Sequence, residues 1–212
     1  MDSGHLELFA PEPSLPEGFA YRTDLVTPDE ERALVEHFAA LPFRAFEFQG
    51  FLGKRRVVSY GWRYDFNLMK AERTEDIPDF LVGLRERAAA FAGLSAAALQ
   101  QVLLTEYAPG AGIGWHKDRS VFGEVVGVSL LAPCAFRLRR RARAGTGRAG
   151  AAKAGVGSAN AGKAGAWERA TLTLGPRSAY LLSGPARIEW EHSIPAVESL
   201  RYSVTFRNLR ER

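Results

Sequence analysis

The sequence predicts an α+β or mainly β fold, with two N-terminal helices followed by short strands that curl into a sandwich or barrel. Two observations predict it. Helical periodicity stops at Phe91, and beyond it six short apolar runs follow, most with Gly or Pro close by. A chain of 212 residues that is 46% hydrophobic and 25% charged suits one soluble domain with a sizeable core, and no solenoid-type repeat is visible.

Taken in order, the proline-rich stretch from Leu8 to Glu17 reads as an extended lead-in. Thr27-Pro28-Asp29-Glu30 then combines an N-cap threonine, proline at the first helical position and glutamate three residues after the cap. Leu34, Val35 and Phe38 continue at helical spacing, and the helix should end near Leu41-Pro42. From Phe46 to Phe66, aromatic and branched residues alternate around Gly50 and Gly53, which predicts a hairpin or two short strands. A second helix is expected from Pro78 to Phe91. The strand-like runs are Val102 to Tyr107, Val125 to Leu131, Phe136 to Leu138, Ala170 to Leu174, Ala179 to Leu182 and Arg201 to Phe206. The tract from Ala142 to Ala166, made of Ala, Gly, Lys and Arg with almost nothing to bury, reads as a flexible basic insertion between two strands.

The single cysteine, Cys134, excludes an internal disulfide and a thiolate-rich zinc site, and reads as a core residue. Val125 to Phe136 is the longest mostly apolar stretch and is too short to span a bilayer; Met1 to His5 lacks the basic-then-apolar start of a signal peptide. A cytoplasmic protein with no membrane contact is therefore expected. The formal charge is +4, but Val125 to Trp167 holds eight cations and no carboxylate, which leaves the rest of the chain slightly acidic. Attraction to a polyanion would be concentrated in that segment and in local patches.

The chemistry is carried by Trp115-His116-Lys117-Asp118. On an extended segment, His116 and Asp118 lie on one face and can share an ion. His192, in Trp190-Glu191-His192-Ser193, is the best third ligand among the four histidines. Two imidazoles and a carboxylate leave three octahedral positions open, which suits iron(II) with a bidentate co-substrate and dioxygen. A satisfied His/Asp pair near a turn is the competing interpretation. In Arg201-Tyr202-Ser203-Val204-Thr205-Phe206-Arg207, the residues Arg201, Ser203, Thr205 and Arg207 share a face, and two inward arginines need anions such as the two ends of a dicarboxylate. Taken alone, the same strand could lie at the surface with solvated arginines.

Tyr107-Ala108-Pro109-Gly110, then His116-Lys117-Asp118, His192 and Arg201 to Arg207 together resemble the AlkB family of Fe(II)/2-oxoglutarate-dependent dioxygenases, over roughly Val102 to Leu209. The resemblance implies a double-stranded β-helix, or jelly-roll, core at 96–212, behind N-terminal helices and a nucleotide-recognition hairpin at 1–95. It implies that His116, Asp118 and His192 hold Fe(2+). Arg201 would pair with the distal carboxylate of 2-oxoglutarate, assisted by Tyr107 and Ser203, while Arg207 would lie near the metal-end carboxylate with Thr105 beside it. The implied reaction couples O2 and decarboxylation of 2-oxoglutarate to succinate and CO2 with hydroxylation of a substrate C–H bond. On an N-methyl nucleobase the product loses formaldehyde.

The N-terminal half points to the substrate. Lys54-Arg55-Arg56 precedes Tyr60, Trp62 and Tyr64, which alternate and would line one face of a strand. There they could stack a flipped or single-stranded base of alkylated DNA or RNA while Arg55 and Arg56 hold phosphates, or serve as an aromatic core stripe beside a basic turn. Two departures bear on substrate. Ser120 stands where the DNA-dealkylating prototype has a second carboxylate, and the stretch from Arg55 to Tyr64 is similar to the branch that hydroxylates a transfer-RNA wobble uridine side chain. Hydroxylation of that side chain, or of a protein residue, is thus the alternative to base demethylation. A non-catalytic nucleic-acid-binding module working through the basic insertion is a remote third. No protein partner is implied.

Overall fold

The computed structural model describes residues 15–48, 51–65, 68–142 and 166–210. In chain order these form β1 (Phe19–Arg22), α1 (Pro28–Ala39), β2 (Arg44–Phe48), β3 (Phe51–Tyr60), β4 (Trp62–Asp65), β5 (Lys70–Arg73), α2 (Val82–Ala92), β6 (Gln101–Tyr107), β7 (Ile113–His116), β8 (Phe122–Leu130), β9 (Cys134–Arg141), β10 (Trp167–Leu174), β11 (Ser178–Leu182), α3 (Gly184–Ile188), β12 (Glu191–Ile194) and β13 (Arg201–Leu209). The capping box of α1 is made in full: Glu30 N–H donates to Thr27 Oγ1 at 3.2 Å, and Thr27 N–H donates to Glu30 Oε2 at 2.8 Å. A single 3-10 turn over Asp79–Leu81 leads into α2, which starts later than Pro78 and stops at left-handed Gly93.

Two antiparallel sheets build the core. The major sheet runs β1-β11-β8-β13-β6-β3-β2, the minor sheet runs β10-β9-β12-β7, and β4 and β5 form a separate ribbon. This is the mainly β, jelly-roll-like architecture expected. Alternation sorts β13 cleanly. Tyr202, Val204 and Phe206 pack with Phe38, Leu84, Val102 and Leu104 beneath the helices. The opposite face carries Arg201, Ser203, Thr205 and Arg207, all buried, and looks into the space between the sheets. There a second apolar cluster forms around Phe136, Leu138, Tyr180, Leu182 and Trp190.

The expected strand at Phe136 to Leu138 is longer, and that at Val125 to Leu131 begins earlier, because pairing in the sheet extends both past their apolar centres. Four-residue strands β7 and β12 lie outside the expected runs, as does helix α3. The expected hairpin from Phe46 to Phe66 is β2 and β3, but it extends the major sheet through β3–β6 pairing and then breaks at Gly61. Gly61 has φ +75°, and a Cβ there would sit 2.0 Å from the Gln100 carbonyl oxygen, so only glycine allows the turn into β4. The basic tract lies outside the described residues except at its ends, where Ala142 N–H donates to the Ala166 carbonyl at 2.8 Å. No helix among the described residues is long and apolar enough to cross a membrane.

Candidate metal centre

His116 ends β7 and His192 lies on β12, and the two are directly opposite in the antiparallel register. Their rings are 4.2 Å apart between centroids, and His192 Nε2 lies 3.7 Å from Asp118 Oδ2. The structure therefore brings His116, Asp118 and His192 together, although among the described residues no three His, Cys, Asp or Glu donors are already drawn into a closed ligand group. His116 Nδ1 is 2.9 Å from the Gly114 carbonyl, which can only accept, so Nδ1 carries the proton and Nε2 keeps its lone pair.

Electrostatics set the same protonation state. Burial, with His116 beside it, holds His192 at about 3, and burial lowers His116 as well, so both imidazoles are neutral near pH 7. Burial alone would raise Asp118, but Arg207, then His192, His116 and Arg187, overcome it and hold the carboxyl far below its ordinary range. Arg207 grips Asp118 Oδ1 with Nε at 2.8 Å and Nη2 at 2.6 Å, and gives Nη1 to Gln101 Oε1 at 2.8 Å. Two neutral imidazoles with one ionised carboxylate fit the two-histidine, one-carboxylate set that binds iron(II) with open positions.

The second half of the site is Arg201, fully excluded from solvent. Its Nε donates to Ser129 Oγ at 3.1 Å and its guanidinium carbon sits 5.0 Å from the Tyr107 ring centre. Both terminal nitrogens are buried without a hydrogen-bond partner. An unanswered guanidinium fork in a polar interior is a poor structural element and a good carboxylate receptor, so the residues fit a carboxylate-bearing co-substrate. Ser203 and Thr205 hydroxyls lie 3.4 Å apart on the same face, and Thr105 is opposite Ser203 on β6.

The five expected substrate residues divide. Arg55 shares the site face of β3 with Val57, which pairs with Thr105; its guanidinium stacks 3.8 Å over Phe46. Tyr64 reaches Arg119, the neighbour of Asp118, with the guanidinium 5.1 Å from its ring centre, and Trp62 shares Tyr64's face of β4. Tyr60 and Arg56 do not join them. Tyr60 is buried in the core under the helices, opposite Val102, and Arg56 points the same way, held by Glu106 through two bonds of 2.7 Å. The expected continuous aromatic stripe is corrected by Gly61, which breaks the alternation between Tyr60 and Trp62.

Four residues that sequence reasoning did not single out also shape the site. Gln101 and Ser129 hold the two arginines, and Tyr180 lies opposite Gly127, where a Cβ would be 2.2 Å from the ring. Burial raises the Tyr180 hydroxyl well above its ordinary range, keeping it a neutral donor. Gly127, set between Val126 and Val128 on β8, was the available signal. Arg187, on α3, ties down the loop after Asp118 by donating to the carbonyls of Arg119, Phe122 and Gly123 at 2.7 to 2.8 Å.

Residues 27–207 match a family described as the 2OG-Fe(II) oxygenase superfamily. A curated relative, "Alkylated DNA repair protein ALKBH8 homolog" of Arabidopsis thaliana, is 33% identical over 181 residues, covering 81% of this chain and 49% of the relative. The chain thus spans about half the length of that relative. A solved structure, "The structure of OsALKBH1", superposes with a TM-score of 0.63 at 14% identity over 93% of this chain and 100% of that chain, a likeness of fold.

Proposed function

The chain belongs to the 2OG-Fe(II) oxygenase superfamily, in its AlkB-type branch, and is a dioxygenase using Fe(2+), 2-oxoglutarate and O2; from this we propose that it oxidatively demethylates or dealkylates nucleobases in DNA or RNA. The observation that carries the proposal is the buried, unanswered fork of Arg201, on the same inward face of β13 as the Arg207 that grips Asp118.

In this assignment His116, Asp118 and His192 hold the metal, which with its co-substrates supplies the oxidation of an unactivated C–H bond and the release of succinate, CO2 and, from an N-methyl group, formaldehyde. Arg201 receives the distal carboxylate of 2-oxoglutarate, with Tyr107 and Ser203 beside it and Thr105 on the facing strand. Arg207 lies near the metal-end carboxylate of 2-oxoglutarate and orients Asp118, hydrogen-bonded to Asp118 and Gln101 with its guanidinium 5.3 Å from the Phe122 ring centre. The apolar wall of Phe136 and Tyr180 excludes water from the ligand residues. Arg55, Trp62 and Tyr64 form the substrate side, receiving a flipped or single-stranded base between the ribbon and the site. Residues 1–95 then supply recognition and 96–212 the oxidation, in a protein working in the cytoplasm.

The test is a reconstitution with iron(II) and 2-oxoglutarate over methylated DNA and RNA oligonucleotides. Formaldehyde and succinate should form together, and His116→Ala should stop both. A protein that demethylates normally without His116 would overturn the assignment.

One observation favours a second reading. Arg55 presents a guanidinium to the site, a fork that suits the carboxylate or ester oxygens of a wobble uridine side chain better than the cationic ring of an N-methylated adenine or cytosine. Mass spectrometry of transfer RNA from a deletion strain separates the two, since only this version removes a modified nucleoside.

A further inference from the structure

Tyr180 is set into the site in a way that the fold does not require. It pairs with Gly127 across β11 and β8, and Gly127 pairs in turn with Thr205 on β13, so the three lie in one row on the inward face of the major sheet. Gly127 puts no side chain into that row. The Tyr180 Cε1, Cζ and hydroxyl occupy the place that a Cβ on Gly127 would take, which lays the ring from β11 onto β8 and leaves its hydroxyl above Gly127. In the next inward rows, Ser203 stands opposite the Ser129 that holds Arg201, and Arg207 stands opposite Val125. The hydroxyl therefore lies over the sheet between the rows of the two arginines, and the charges of Asp118, Arg207 and Arg201 all act on it.

Two rings hold it there: Phe136 at 4.6 Å and, parallel to it, Phe19 at 6.3 Å between ring centres. Tyr180 is 6% exposed, and among the described residues its hydroxyl makes no hydrogen bond. Other tyrosines differ. Tyr21, its direct partner on β1, accepts from Gly175 N–H at 3.1 Å, and Tyr202 donates to Glu106 at 3.2 Å. A phenylalanine at 180 would fill the same space without burying an unanswered hydroxyl, so packing explains the ring and leaves the hydroxyl unexplained. Burial keeps that hydroxyl protonated, and a neutral phenol meets an anion as a donor.

Resting on the co-substrate assignment above, we infer that Tyr180 is a further co-substrate-binding residue, its hydroxyl donating a hydrogen bond to a carboxylate of bound 2-oxoglutarate. The site then grips the dicarboxylate with the arginines of β13 and with a neutral donor that reaches in from β11. Glycine at 127 is the condition for this, because a side chain there would displace the ring tip that carries the hydroxyl.

The experiment is isothermal titration of 2-oxoglutarate into the full chain loaded with Mn(II) in place of iron(II), with melting of the metal-free, ligand-free protein alongside. Wild type, Tyr180→Phe and Tyr21→Phe are compared. Losing a hydrogen bond to a charged acceptor should raise the Kd of Tyr180→Phe for 2-oxoglutarate about tenfold or more. Its Mn(II) affinity without co-substrate should match the wild type, and its ligand-free Tm should be at or above the wild-type value. Tyr21→Phe, which loses a bond made within the fold, should melt lower and bind 2-oxoglutarate as the wild type does. Equal Kd values for wild type and Tyr180→Phe, or a Tyr180→Phe protein whose Tm falls as that of Tyr21→Phe does, would overturn the inference while leaving the proposed function standing. A wild type that binds Mn(II) but no 2-oxoglutarate would instead overturn the co-substrate assignment itself.

Discussion

Replacing Arg201 with methionine should make the metal-free, ligand-free protein more stable while destroying its response to 2-oxoglutarate. The guanidinium is fully buried, one nitrogen bonded to Ser129 and two bonded to nothing. A buried cation without its counter-ion costs several kcal/mol, and replacing buried ionic groups by apolar ones of similar volume stabilises proteins by about 1 to 4 kcal/mol. In the wild type, that cost is recovered when a carboxylate arrives. At a hundredfold excess over Kd, a ligand adds about 2.7 kcal/mol, or roughly 5 to 10 °C in Tm for a chain of this size. The assay is thermal melting with and without 2-oxoglutarate, under anaerobic iron(II) or with a redox-inert metal. Expected are a large upward shift for the wild type, none for Arg201→Met, and a ligand-free Tm for the variant at or above the wild-type value. A variant that keeps the shift, or whose ligand-free Tm falls as a core truncation's would, refutes the reasoning about the orphaned fork.

Asp118→Ala removes the partner of Arg207 as well as a ligand, so it should cost about 3 to 5 kcal/mol in urea unfolding besides abolishing metal-dependent succinate formation, which a purely catalytic role would not do. On acidification, the unfolded chain takes up a proton near pH 6.5 that native His192 refuses until about 3, so metal-free stability should fall across that window, with Asp118 adding a further loss below about pH 4; His192→Gln should flatten the upper part, and parallel urea midpoints at pH 7 and 4.5 would argue against it. Gly127→Ala should destabilise by about 2 to 3 kcal/mol through its clash with the Tyr180 ring, and adding Tyr180→Ala should recover part of the loss in a double-mutant cycle. Arg187→Met should free the loop after Asp118 and weaken metal binding in isothermal titration, with little effect if that loop is held by other means.

Much of this molecule was legible because some sequence patterns admit one arrangement. The Thr27 to Glu30 box fixes a helix start by local hydrogen bonds alone, and β13 sorts its arginines from its aromatics by alternation without reference to any other strand. What was not legible depends on register. His116 and His192 are cross-strand partners, and Ser129 and Gln101 reach the arginines from strands whose pairing no spacing encodes. Tyr60 was misplaced for a related reason: alternation was carried through Gly61, whose left-handed φ resets the side on which every later residue falls. Short strands such as β7 and β12 escaped because their polar, ligand-bearing residues leave too little apolar pattern.

The pairing of β3 with β6 has a consequence for how this protein can be cut or evolve. Arg55 and Thr105 belong to neighbouring strands of one hydrogen-bonded ladder, so the part facing substrate and the part facing co-substrate are a single piece of sheet. Expressed without its first 95 residues, the core would bare β6 as a raw edge, a row of unpaired amides and carbonyls inviting another copy to dock, and aggregation rather than a smaller working enzyme should result. Change in specificity is therefore expected to come by substitution along β3 and the ribbon, and not by exchange of a detachable module.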